Sequence, residues 1–108
     1  MRSDSERLLD IADAIDRINK YSEKGKDAFE KDELIQNWIV HHLQIIGEAS
    51  ARVSGDFQNL HPEIPWSKII GMRNILVHDY FGIDTEIVWS VIEKDLPDFE
   101  KSLKKLIE

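Results

Sequence analysis

Cysteine is absent from the 108 residues, which excludes disulfides, thiolate zinc sites and a cysteine nucleophile. Proline occurs three times and glycine five times, so the breaks are few and well marked. No apolar run approaches the roughly 18 residues of a membrane span. The opening Met1-Arg2-Ser3-Asp4-Ser5-Glu6 has no apolar core of a signal peptide, so no membrane association is expected and the expected location is cytoplasmic. Cations are in deficit: Lys plus Arg is 14 against 21 Asp plus Glu, a net charge of −7 with His neutral. That balance argues against blanket electrostatic binding to nucleic acid, and DNA is not expected as a partner. A short local cluster of cations remains compatible with it. Internal repeats and low-complexity stretches are also missing.

What is present suffices for a packed core. Hydrophobic residues make up 42% and charged residues 32%, with three Trp, four Phe and two Tyr as bulky pieces. The length fits one domain over residues 1–108. A domain this small buries only about two-thirds of its unfolded surface, which makes an oligomer a reasonable expectation.

Apolar residues recur at helical spacing almost throughout, and no segment alternates at period two. A first helix starts after Ser3, Asp4 or Ser5 and carries Leu8, Ile11, Ile15 and Ile18 at 3-4-3 spacing. Ser22 to Lys26, with Gly25, reads as a turn. In the second and longest helix, Ile35, Ile39, His42, Ile46, Ala49 and Val53 form a seam, with Leu34, Trp38 and Ile45 beside it. A stripe that wide packs against two partners. Ser54-Gly55-Asp56 ends this helix, and an extended connection runs to Pro65. The third helix spans about Trp66 to His78, and Gly82 follows it. Asp84 caps a fourth helix whose face is Ile87, Val88, Val91 and Ile92. Pro97 kinks that helix or starts a fifth, and Phe99, Leu103 and Leu106 continue the stripe. The expected fold class is all-α, an up-and-down bundle of four main helices with a kinked or fifth C-terminal helix.

The third helix interrupts its own pattern. Trp66, Ile69 or Ile70, Leu76 or Val77, and Tyr80 define an apolar stripe with Arg73 in its middle. A guanidinium on a buried stripe costs on the order of several kcal/mol unless it is paired or faces a wet cleft. Beside it run Gly71, Asn74 and His78 at 3-4 spacing. Arg73 and His78 are five apart, hence about 140° from each other on an ideal helix, able to flank one cleft but not to stack. A guanidinium, an amide and an imidazole converging on a cleft suit a phosphodiester. Arginine stabilises an anionic phosphorane, and histidine moves a proton near neutral pH. No carboxylate cluster accompanies them, so neither a two-metal site nor a cofactor is indicated. On the residues alone a structural reading, the commoner one for an Arg–His pair on a helix, stays open: Arg73 ion-pairs with an acid such as Glu48, and His78 caps the helix C-terminus.

Arg73-Asn74-Ile75-Leu76-Val77-His78-Asp79-Tyr80 resembles the signature of the HEPN superfamily, an Arg and a His separated by four to six residues. With Tyr two after the His, it is similar to the HepT toxin family. The resemblance extends to Ile46-Gly47-Glu48-Ala49, to Pro62-Glu63-Ile64-Pro65-Trp66 and to Ile87-Val88-Trp89, and so covers nearly the whole chain. It implies a small all-α toxin of a type VII toxin–antitoxin pair, a metal-independent endoribonuclease that works as a homodimer. It implies Arg73 and His78 as catalytic residues and Asn74 and Asp79 as supporting polar residues. It also implies Tyr80 as a site of AMPylation by the antitoxin, an MntA-like minimal nucleotidyltransferase. A dimer suits the chemistry, because metal-free RNA cleavage needs one group to take a proton and another to give one. Each chain offers one signature His, and two chains about a two-fold axis offer two. The competing class is a non-catalytic four-helix interaction module that partners such a nucleotidyltransferase, with Arg73 and His78 serving dimerisation or nucleotide binding. Whether tRNA or mRNA is the substrate is not written in the sequence.

The remaining polar residues receive plainer expectations. His41 and His42, being adjacent, point to different faces, and His42 on the seam reads as a packing or interface histidine. Glu48 either orients Arg73 or His78 across the bundle or is a solvated carboxylate. Trp38, Trp66 and Trp89 read as core or interface residues, and Gly47 and Gly71 as points of close helix–helix approach.

Overall fold

The first helix begins where its sequence caps it. In a computed structural model, which describes residues 2–75 and 84–107, Ser3 accepts from the Glu6 amide at 3.2 Å while the Glu6 carboxylate accepts from the Ser3 amide at 3.3 Å. This reciprocal box opens α1, Asp4–Ser22. The amide of Ser3, then its hydroxyl, hold the Glu6 carboxyl below its ordinary range. Asp4 reaches out of the same turn to Ser54, taking its hydroxyl at 2.6 Å and its amide at 2.9 Å. Those two bonds, the hydroxyl's first, hold the Asp4 carboxyl low as well.

Two short helices stand outside the expected main ones, one following the turn expected at Ser22 to Lys26 and one within the connection expected to be extended. After Gly25, whose φ of 95° favours glycine, α2 runs over Lys26–Lys31 and buries Phe29 completely. Asp32 then caps α3, Glu33–Ala51, through the amides of Leu34 and Ile35. Ser54 caps α4, Gly55–Leu60. The stretch from there to Pro65 is pinned by buried Ile64 and by the Trp66 indole, which donates to the His61 carbonyl at 3.0 Å. Next comes α5, Trp66–Ile75. The expected end of that helix at His78, and Gly82 beyond it, lie outside the described residues.

Asp84 caps α6, Thr85–Ser90, as expected, by accepting from the Glu86 and Ile87 amides. The kink expected at Pro97 takes the form of a π turn over Val91–Asp95, closed by the Leu96 N–H on the Val91 carbonyl. Pro97 lacks a donor and its ring crowds the carbonyl four residues back; a wider turn directly before it relieves that crowding. The chain continues without a break into α7, Leu96–Ile107.

Among the described residues every regular element is helical, and the architecture is an all-α bundle. α3 sits at its centre. It packs most extensively on α1 and α5, while α7 closes over α1. The wide stripe on α3 accounts for this: Ile39, Leu43 and Ile46 are wholly buried between the two partners. Each such side chain contributes about 1.5–3 kcal/mol by leaving water.

Candidate active site at the α3–α5 contact

Gly47 on α3 lies against Arg73 on α5. A β-carbon placed on Gly47 would sit 2.9 Å from both the β-carbon and the amide nitrogen of Arg73. Only a residue without a side chain lets the two backbones meet this closely. The next residue of α3, Glu48, is thereby brought opposite the Arg73 side chain. Its Oε1 lies 3.4 Å from the Arg73 Nη1.

Two expectations about α5 change here. Among the described residues its buried side chains are Trp66, Ile69 and Met72, so the inward stripe passes through Met72 and not Arg73. Arg73 is one step further round, its side chain 37% exposed and that of Glu48 53% exposed. The guanidinium therefore avoids the full desolvation cost that a buried stripe would impose. A single ion pair this exposed contributes at most about 1 kcal/mol to stability, so its consequence is where it points the guanidinium. Gly71 is not a point of close approach: a β-carbon there would meet nothing within 4 Å among the described residues.

Of the other signature residues, the backbone of Asn74 belongs to α5. His78, Asp79 and Tyr80 lie outside the described residues.

The histidines of α3 are closer partners than their adjacency suggested. His41 and His42 meet edge to face with ring centroids 5.1 Å apart, and both line one groove between α1 and α3 that also reaches Glu48. His42 is buried, its ring centroid 4.5 Å from that of Trp38 with the planes tilted by 43°. Its Nδ1 is 2.7 Å from the Trp38 carbonyl. A carbonyl can only accept, so the proton of neutral His42 sits on Nδ1 and Nε2 keeps the lone pair. Sequence reasoning missed this groove; Arg7 and Arg17 on α1 and His41 and Arg52 on and after α3 are its trace in the sequence. Among the described residues no group of three His, Asp or Glu side chains is arranged to hold a metal ion.

The tryptophans are committed elsewhere. Trp66 is buried, Trp38 donates to the Arg17 carbonyl at 2.8 Å, and Trp89 donates to Glu93 at 2.8 Å while packing on Phe29. No described helix is long and apolar enough to cross a membrane.

Comparison with known proteins bears on this site. The family described as Ribonuclease HepT-like matches residues 11–106. A probable ribonuclease HepT of Thermococcus cleftensis is 40% identical over 106 residues, covering 97% of this chain and 96% of that protein. A Methanocaldococcus jannaschii protein, "Putative RNase MJ1380", is 35% identical over 98 residues, covering 87% of this chain and 90% of its own. No solved structure matches. With the match running through α3, α5 and the signature between them and α6, the chain belongs to the HepT-like ribonuclease family.

Proposed function

We propose that this protein is a metal-independent endoribonuclease toxin that acts as a homodimer, with Arg73 and His78 as its catalytic residues. Family membership supports the ribonuclease class. The observation that carries the site is the half-exposed Arg73 guanidinium, aimed by Glu48 at the edge of the α3–α5 contact. In the proposed reaction Arg73 binds a non-bridging phosphate oxygen and offsets the charge that builds on it. A His78 imidazole takes the proton of the 2′-hydroxyl. The 2′ oxygen bonds to phosphorus, the bond from phosphorus to the 5′ oxygen breaks, and the second His78 of the dimer protonates that leaving oxygen. The products are a 2′,3′-cyclic phosphate and a 5′-hydroxyl. Asn74 and Asp79 support the signature, and Glu48 is a positioning residue for Arg73. Cleavage in excess EDTA with a 2′,3′-cyclic phosphate end is the expected result; an absolute requirement for Mg²⁺ would overturn the mechanism.

Control is assigned to Tyr80. An MntA-like nucleotidyltransferase antitoxin transfers AMP from ATP to its phenol oxygen, the phenol losing its proton and pyrophosphate leaving, and the added bulk and negative charge oppose binding of the RNA phosphate. Tyr80→Phe removes the acceptor oxygen and little else. It is expected to cleave RNA normally and to resist silencing by the partner with ATP. Mass spectrometry should show AMP-sized additions on the wild type alone. Equal modification of Tyr80→Phe, or its full neutralisation by the active partner, would remove Tyr80 as the control point and leave occlusion by complex formation as the account. The non-catalytic alternative is separated by the same assays, since a binding module produces no cyclic phosphate at all.

A further inference from the structure

The groove between α1 and α3 has an estimated volume of 530 Å³, and Glu48 at one part of its wall also holds Arg73. Its charge balance differs from that of the whole molecule, which is net negative at −7. Three acids line it, and each is engaged by a cation: Asp13 by Arg17 at 2.9 Å, Asp10 by Arg2, and Glu48 by Arg73. Two arginines that line it, Arg7 and Arg52, form no ion pair among the described residues. The acids nearest Arg7 along its own helix are Asp4, Glu6 and Asp10; Arg7 helps to hold the first two carboxyls low, but all three have other partners, Asp4 in Ser54, Glu6 in Ser3 and Asp10 in Arg2. Arg7 also keeps its Nε out of water with no hydrogen-bond acceptor, a donor left unsatisfied at the groove wall. His41 stands exposed on the same wall. The lining holds three arginines and three acids, and because Arg2 and Arg73 reach in to take two of those acids, Arg7 and Arg52 are left without an ion pair among the described residues.

We infer that the α1–α3 groove binds the sugar–phosphate backbone of the RNA strand, with Arg7 and Arg52 each taking a phosphate next to the one held at Arg73. The inference rests on the ribonuclease reading and deepens it by naming a substrate path. Guanidinium groups suit phosphate oxygens, which they meet with two parallel donors. The groove is open and lacks a ring of exposed aromatic faces, so it follows backbone and not base identity. Glu48 joins the two parts: it aims Arg73 at the scissile phosphate and bounds the groove through which the strand leaves.

The test is binding of a fluorescent single-stranded RNA oligonucleotide, measured by anisotropy across a salt series, with wild type, Arg7→Gln/Arg52→Gln and Arg7→Lys/Arg52→Lys. Each phosphate contact on a single strand contributes about 0.7 to the slope of log K against log salt. The Gln pair should lower that slope by about 1.4, with the apparent KM for cleavage rising more than kcat falls, and the Lys pair should restore most of the slope. Thermal melting of both variants confirms that they are folded. A Gln pair with an unchanged slope overturns the groove while leaving the ribonuclease reading intact. If instead the Gln pair alters the mass in solution and not the slope, the groove is a protein–protein face and the inference is wrong. If wild type neither binds nor cuts RNA, the ribonuclease reading fails first and this inference falls with it.

Discussion

His78→Ala should abolish RNA cleavage while leaving the helical bundle folded. A positioned general acid or base contributes about 10²–10⁴-fold, and in the proposed dimer the substitution removes both proton-transfer groups at once. The loss should therefore reach the upper end of that range or exceed it. The comparison with Arg73 separates the roles. Arg73→Lys keeps the charge but not the two-donor fork, so it should weaken cleavage with some activity surviving. The decisive measurement is single-turnover cleavage of one RNA by wild type and by His78→Ala, with circular dichroism to confirm the helices. A folded His78→Ala protein that cleaves within threefold of wild type would remove His78 from the chemistry.

Gly47→Val should be the most damaging single substitution of the fold at the site. Its β-carbon would start 2.9 Å from the Arg73 amide nitrogen, and backbone cannot swing aside as a flexible side chain can. Overpacking of this kind costs about 1–3 kcal/mol, and a domain near this size loses about 4–8 °C of melting temperature per kcal/mol. The activity loss should exceed what the stability loss explains. Separating α3 from α5 moves Arg73 off Glu48, and a misplacement of about 1 Å can cost about 10²-fold. Gly71→Ala is the contrast on the other side of α5. With nothing among the described residues within 4 Å of the added carbon, it should leave melting unchanged or raise it, because alanine favours a helix by about 0.8–1 kcal/mol over glycine. Equal melting of Gly47→Val and wild type would refute the close approach.

The caps and the central helix were legible because they rest on local chemistry and long periodicity. Ser3 and Asp84 accept from the amides that an N-cap residue should, and the wide seam of α3 does meet two partners. The short helices α2 and α4 were not legible. Six residues make fewer than two turns, too little for a stripe to repeat, and α2 is fixed by one buried side chain, Phe29. Arg73 was placed one position too deep because Met72, apolar and next to it, takes the inward place. The pairing with Glu48 was one of two open readings for each residue, and spacing alone could not choose between them. That choice depends on the distance between two helices, which Gly47 sets. The α1–α3 groove was missed because its arginines are far apart in the chain and each looks, locally, like an ordinary solvated charge.

The π turn before Pro97 also decides which letter of the helix faces inward. Seven residues make nearly two α-turns, so in an unbroken helix the position in line with Val88 would be Asp95. The wider turn absorbs an additional residue, and Leu96 comes round to the core instead, with Phe99 and Leu103 following it at three and four. Asp95 is left at the rim, where it takes the Lys68 ammonium at 2.9 Å. The two apolar runs on either side are thus written one residue out of phase, and the backbone, not the side chains, restores their register. Between residues 91 and 95 the chain carries one more residue than its apolar faces require. It is the place in this helix where a single residue can be lost without exchanging inside for outside.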